Sequence, residues 1–109
     1  EDAVEIEHRI AVSTDAHVIK PLFFPGGDIG KLSITGTVND VSMKGAIPKY
    51  LLITYIIEEG FPIADLKKIT RSVQKTAEKA NVRIIAGDTK VVERGKADGI
   101  FITTTGIGF

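Results

Sequence analysis

Residues 50–57 read Tyr-Leu-Leu-Ile-Thr-Tyr-Ile-Ile, a run of aromatic, β-branched and aliphatic side chains without a charge. Such a run describes a strand covered on both faces, because an open face would leave alternate large apolar groups in water. Residues 100–109, rich in Ile, Thr and Phe, make a second strand of this kind. Only two segments read as helices, and two helices cover one face of a four- or five-stranded sheet. The second face then needs a further domain or a second subunit.

The remaining elements follow from periodicity. Residues 8–15 alternate, with Ile10, Val12 and Thr14 on one side and Ala11, Ser13 and Asp15 on the other, a strand ending near Asp15. Residues 18–24 are apolar and extended until Pro25-Gly26-Gly27 interrupts them. Residues 32–43 carry one charge, Asp40, among small and aliphatic side chains, which predicts a helix buried on most sides and stopped by Gly45. Pro62 suits the first turn of a second helix. Ile63, Leu66, Ile69, Val73, Ala77 and Ala80 recur at helical spacing in it, and Asn81 is its stop. Residues 82–86 form a strand that breaks at Gly87-Asp88-Thr89, and a polar turn over 93–98 leads to the last strand. The order β-β-α-β-α-β-β defines one α/β (α+β) domain over residues 1–109. The chain opens on Glu1-Asp2 without Met, so both ends are expected to be cut from a longer protein.

Fourteen basic residues balance fourteen acidic ones, which is not the charge pattern of a nucleic-acid binder. No apolar run approaches the length that crosses a membrane as a helix. There is no Cys, which removes disulfides, thiolate metal sites and thiol catalysis from these residues.

Three carboxylates stand beside turns or in poorly charged surroundings: Asp15, Asp40 and Asp88. Converging carboxylates are what magnesium takes, as hard oxygen ligands that leave room for water and phosphates. Singly, each has a plainer role, Asp15 and Asp88 as turn formers and Asp40 bonded to nearby backbone. The segment Pro25-Gly-Gly-Asp-Ile-Gly-Lys31 is not a P-loop, having Pro for its first Gly and Leu32 where Ser or Thr is needed. Gly26, Gly27 and Lys31 could still present a helix N-terminus to phosphate, or form a flexible connector. Lys90 could face a phosphate or lie on an exposed strand. His8 and His17 lack partners at metal-ligand spacing and read as surface or strand residues. Arg94 and Lys96 fit a solvated turn. Phe23, Phe24, Tyr50 and Tyr55 read as core or interface.

The segments STDAHVIKPLFFPGGDIGKL, GTVNDVSMKGAIPKYL, EEGFP and GDTKVVERG, in this order and spacing, resemble the HypE family of hydrogenase maturation proteins. That family lies within the aminoimidazole ribonucleotide synthetase (PurM-like) superfamily, and the resemblance covers nearly the whole chain. It implies a mixed sheet with two helices on one face, paired with a second subunit into a β-barrel. It also implies an ATP-dependent carbamoyl dehydratase in the cytoplasm. There ATP phosphorylates a carboxamide carried on the protein's own C-terminal cysteine, and loss of phosphate leaves a thiocyanate, the cyanide source for nickel–iron hydrogenase. HypF supplies the carbamoyl group and a HypC–HypD complex accepts the cyanide. The resemblance makes Asp15, Asp40 and Asp88 magnesium and ATP-phosphate residues, with Asp2 as a remnant of an upstream acidic motif. Asn39, Gly87, Thr89 and Lys90 become neighbours of the nucleotide. Ala16-His17 departs mildly from the family pattern, and the C-terminal domain and terminal cysteine lie outside these residues. Another ATP-dependent enzyme of the superfamily, or a dimerisation module without chemistry, are the competing readings.

Overall fold

The computed structural model describes the backbone course of residues 3–6 and the whole of residues 9–109. Nine elements follow one another: β1 Ala3–Ile6, β2 Ile10–His17, β3 Phe23–Phe24, β4 Gly27–Asp28, α1 Ile29–Ser42, β5 Pro48–Glu58, α2 Ile63–Lys79, β6 Arg83–Val92 and β7 Ile100–Gly108. Five strands form one sheet in the order β1-β2-β7-β5-β6. Only β5 and β6 run parallel, because α2 carries the chain back across the sheet between them. β3 and β4 form a separate two-stranded ribbon around the Pro25-Gly26 turn.

Both helices lie on one face. α1 rests on β7 and β2, and crosses α2. The approach is close because β7 carries glycine where α1 descends. A Cβ at Gly106 would stand 2.7 Å from Thr37 Cγ2, and one at Gly108 would stand 2.7 Å from the Ile47 carbonyl. The helices touch closely for the same reason, since a Cβ at Gly30 would lie 2.6 Å from the Ile69 carbonyl. Between helices and sheet, Ile29, Ile34, Leu51, Ile53, Ile69, Val73, Ile100 and Ile102 form the core. α2 matches its expected span, with Pro62 as N-cap residue and Asn81 in the left-handed region (φ 56°) just past its end.

Among the described residues the opposite face has no helix on it. Val12, Leu52, Ile56, Phe101 and Ile107 are half-buried there, as the shortage of helices requires. Ile53 and Tyr55 point the other way, into the helix-covered core. The apolar character of β5 therefore divides into a closed side and an open side.

Several boundaries and the burial of α1 differ from the sequence reading. α1 begins at Ile29, because Asp28 and not the loop glycines sets its start. It is buried on one stripe only, through Ile29, Gly30, Ser33, Ile34, Thr37 and Val41, while Leu32 and Asn39 face water. Residues 18–22 belong to no strand, and only Phe23–Phe24 pair. β6 does not break at Gly87-Asp88, because the long β5 pairs with it throughout and a bulge at Ile85 absorbs the irregularity.

Candidate functional site

β2 runs two residues past Asp15, and this extension builds the site. Cross-strand pairing sets Asp15 opposite Thr104 and His17 opposite Ile102. Ala11, Ser13, Asp15 and His17 thus share the face beneath α1. His17 is 8% exposed, and its Nε2 lies 3.0 Å from Thr104 Oγ1. Thr104 also hydrogen-bonds the Thr37 hydroxyl, which donates to the Ser33 carbonyl one turn earlier in α1. Strands β2 and β7 and helix α1 are joined by this buried chain of polar groups, each supplied with a partner.

Asp40 sits on α1 one turn beyond Gly36, whose missing side chain leaves room over the imidazole; a Cβ there would lie 4.0 Å from His17 Cε1. The His17 pKa is pushed below its ordinary value by desolvation, and the negative charges of Asp15 and Asp40 partly oppose this. Two of the three carboxylates singled out in the sequence therefore stand within electrostatic reach of one imidazole. Asp15 is exposed and Asp40 half-buried, so both can meet a ligand. Oδ1 of Asp15 accepts the N–H of Ala16 at 2.8 Å, which fixes the carboxylate's direction.

Asp88 is elsewhere. Its neighbour in β5 is Thr54, while Asp15 lies on the row of Thr104, Ile53 and Gly87. Three strand spacings separate β2 from β6, about 14 Å. The register also turns Asp88 to the open face, with Thr54 and Lys90 neighbouring Ile56. Asp88 Oδ1 accepts the N–H of Thr89 at 2.9 Å, the same local geometry as Asp15. Thr89 and Lys90 are exposed, and Gly87 marks a close approach, since a Cβ there would stand 3.1 Å from the Ile53 carbonyl. Among the described residues no group of three or more His, Asp or Glu is gathered tightly enough to hold a metal ion. Within one chain the sheet order therefore separates Asp88 from Asp15 and Asp40, the three carboxylates that the sequence offers to magnesium. Asp2 and His8 lie outside the described residues.

The glycine-rich segment has a structural occupant. Asp28, 5% exposed, caps α1 by accepting the Lys31 N–H at 2.9 Å and accepts the Ser72 hydroxyl of α2 at 2.6 Å. Lys31 Nζ donates to the Gly26 carbonyl. A phosphate at this helix N-terminus would meet a buried carboxylate already holding the amide it needs. Lys31 thus ties the turn to α1, and Asp28 ties α1 to α2. His17 is the residue that sequence reasoning passed over. The alternation Ala11, Ser13, Asp15 continues to it, and following that period two residues further would have placed it beside Asp15.

A mixed sheet with both helices on one face, and two carboxylates acting on one imidazole where the second strand meets the first helix, make this an α/β domain with one open sheet face. The chain belongs to the family described as AIR synthase related protein, N-terminal domain, whose model matches residues 1–109. It is 63% identical over 100 residues to carbamoyl dehydratase HypE of Cupriavidus necator, covering 92% of this chain and 28% of that protein. The fold matches HypE in the crystal structure of a HypE–HypF complex with a TM-score of 0.97 at 59% identity, over 99% of this chain and 35% of that one. It matches HypE in complex with ATP with a TM-score of 0.91 at 51% identity, over 96% of this chain and 31% of that one. The chain spans 28–30% of the length of the curated relatives it matches. No helix among the described residues is long and apolar enough to cross a membrane.

Proposed function

We propose that this chain is the ATP-binding and dimerising N-terminal domain of a HypE-type carbamoyl dehydratase. In the whole protein, ATP drives dehydration of a carboxamide on a C-terminal cysteine to a thiocyanate, which supplies cyanide to nickel–iron hydrogenase. HypF is its carbamoyl donor, a HypC–HypD complex its cyanide acceptor, and the cytoplasm its compartment. The observation that carries the reading is the meeting of Asp15 and Asp40 at His17, in a chain so similar to HypE over nearly its full length.

The donor set fits magnesium, which needs only one or two carboxylates when waters and phosphates complete its shell. Asp15 and Asp40 would hold it, and it would neutralise phosphate charge during transfer. Asn39, exposed beside Asp40, borders the same nucleotide. The His17–Thr104–Thr37 chain keeps the two carboxylates in fixed relation by locking β2 to α1. Within one chain Asp88 is too far to share their ion. In this proposal it reaches the nucleotide, with Gly87, Thr89 and Lys90, from the second subunit of a homodimer built on the open sheet face.

The test is ATP hydrolysis by the full-length protein carrying Asp15→Asn, Asp40→Asn or Asp88→Asn. Each is expected to lose about 100-fold or more, since a site's charged groups act mainly on the transition state. Mixing unfolded and refolded Asp15→Asn and Asp88→Asn proteins should restore activity, because a heterodimer carries one intact site. Full turnover in any single variant removes that residue from the site, and failure of the mixture to recover overturns the shared-site arrangement. The 109-residue chain alone is expected to bind ATP weakly and to form no thiocyanate, since it has no Cys. Calorimetry giving it the full-length affinity would contradict this.

A further inference from the structure

The buried chain of polar groups beneath α1 leaves each of its protons only one place to go. The Thr37 hydroxyl lies 2.9 Å from the Ser33 carbonyl, which has no proton, so Thr37 donates there. Its single proton is then spent, and in the bond between Thr37 and Thr104 the Thr104 hydroxyl is the donor. Thr104 has none left for the imidazole 3.0 Å away, so His17 donates from Nε2. A carbonyl at one end therefore fixes the tautomer at the other. Neutral His17 carries its hydrogen on Nε2 and a lone pair on Nδ1.

That lone pair has no partner within the chain. Among the described residues Ser13 Oγ is the one buried side-chain nitrogen or oxygen left without a hydrogen bond. Nδ1 lacks one too, so it is not closed off from solvent. Half-buried Gly36 keeps side-chain atoms away from this edge of the ring. A Cβ built there meets only His17 Cε1, the atom next to Nδ1, at 4.0 Å. Asp15 and Asp40 stand within electrostatic reach of the same ring. Two carboxylates and a bare ring nitrogen are all acceptors, and none of them donates.

We propose that His17 Nδ1 is a third acceptor of this site and selects what enters it. A cation that keeps its waters presents O–H donors to all three groups and is held. A phosphate oxygen, itself only an acceptor, is turned away from them. Magnesium suits such a place because it dehydrates reluctantly and keeps several waters. The inference rests on the carboxylate reading proposed above and divides the labour within it. The meeting of β2 and α1 takes the hydrated ion, and phosphate is met through that ion.

NMR of the full-length protein, with isotope-labelled histidine nitrogens and a buffer near about pH 8 that keeps imidazole neutral, reads the tautomer directly. The spectrum of His17→Gln identifies the His17 signals. The free protein is expected to show Nε2 protonated and Nδ1 bare. Magnesium with a non-hydrolysable ATP analogue should move the Nδ1 signal, as a lone pair that accepts a hydrogen bond does, and leave Nε2 in place. In His17→Gln the amide keeps a donor for Thr104 and the Nδ1 lone pair is gone. Calorimetry should show its magnesium requirement for binding the analogue raised about three- to tenfold, the worth of one hydrogen bond. A proton found on Nδ1 overturns the proposal. An Nδ1 signal unmoved by the bound analogue, or an unchanged magnesium requirement in His17→Gln, overturns it too. Asp15→Asn and Asp40→Asn tell its failure from that of the carboxylate reading. Weakened binding in both beside a silent Nδ1 removes His17 alone, whereas full binding in both removes the whole site.

Discussion

The corner between β2 and α1 and the edge strand β6 both carry residues picked out from the sequence, yet they are built differently. At His17 a chain of side-chain hydrogen bonds crosses elements: β2 to β7 through Thr104, and β7 to α1 through Thr37. Along β6, residues 85–91 are all exposed, and the bond Asp88 makes is to its own neighbour. One half of the candidate site is held by tertiary structure before any ligand arrives. The other half is a strand edge whose side chains have no packing to fix them, so its geometry depends on what lies against it. In the proposed two-subunit site, one side is preorganised and the other would be completed by association.

Substitutions can test this contrast, beginning with the two faces of β5. Ile53→Lys buries a charge in the closed core and is expected to cost more than about 4 kcal/mol, abolishing the fold. Ile56→Lys, on the open face, should leave thermal stability of the monomer within about 1 kcal/mol. It should instead dissociate the proposed homodimer, seen as a lower mass in sedimentation. A dimer indifferent to Ile56→Lys would mean the open face is covered by something else. Tyr55→Lys would not serve, since Tyr55 packs on the helix side, where burial pushes its hydroxyl pKa up to about 12.

At the preorganised corner, Thr104→Val deletes the hydroxyl shared by His17 and Thr37 and leaves both without that partner. Chemical denaturation should show a loss of about 1–3 kcal/mol. Asp88→Asn, by contrast, should change stability by no more than about 0.5 kcal/mol, because its residue is exposed and its local bond survives in Asn. Equal losses in the two variants would erase the distinction between the halves.

The smallest effect is a pH dependence. Folding lowers the His17 pKa from 6.5, so below that value the unfolded chain takes up the proton more readily than the folded one. Stability should therefore fall as pH drops below 6.5 in magnesium-free buffer, and the group should contribute no slope above it. His17→Gln keeps a donor for Thr104 but cannot titrate. Its denaturation midpoint should fall less steeply over the same window, and an unchanged slope would show that His17 is not the group responsible.

Much of this architecture could be read in the residues. The spacing from Ile63 to Ala80 gives α2 nearly to the residue, because its apolar stripe is continuous and its ends are marked by Pro62 and Asn81. The unbroken apolar run of β5 shows that both its faces need cover, and the count of helices shows that one lacks it. Local preference and periodicity decide these things, and both act over a few neighbouring residues. Asp15, Asp40 and Asp88 stand out for the same reason, as charges in uncharged surroundings.

The sequence could not show which of them meet. That depends on β7, the last strand, inserting between β2 and β5, which draws Asp15 toward α1 and sets β6 three strands away. Nor could it show that Asp28 would close the glycine-rich loop, since its second partner, Ser72, lies 44 residues on. His17 looked ordinary because its hydrogen-bond partner, Thr104, is 87 residues away along the chain. Periodicity reports which side of an element a residue occupies. Strand order and helix docking report what lies across from it, and only the collapsed chain, with every buried polar group seeking a partner, decides that.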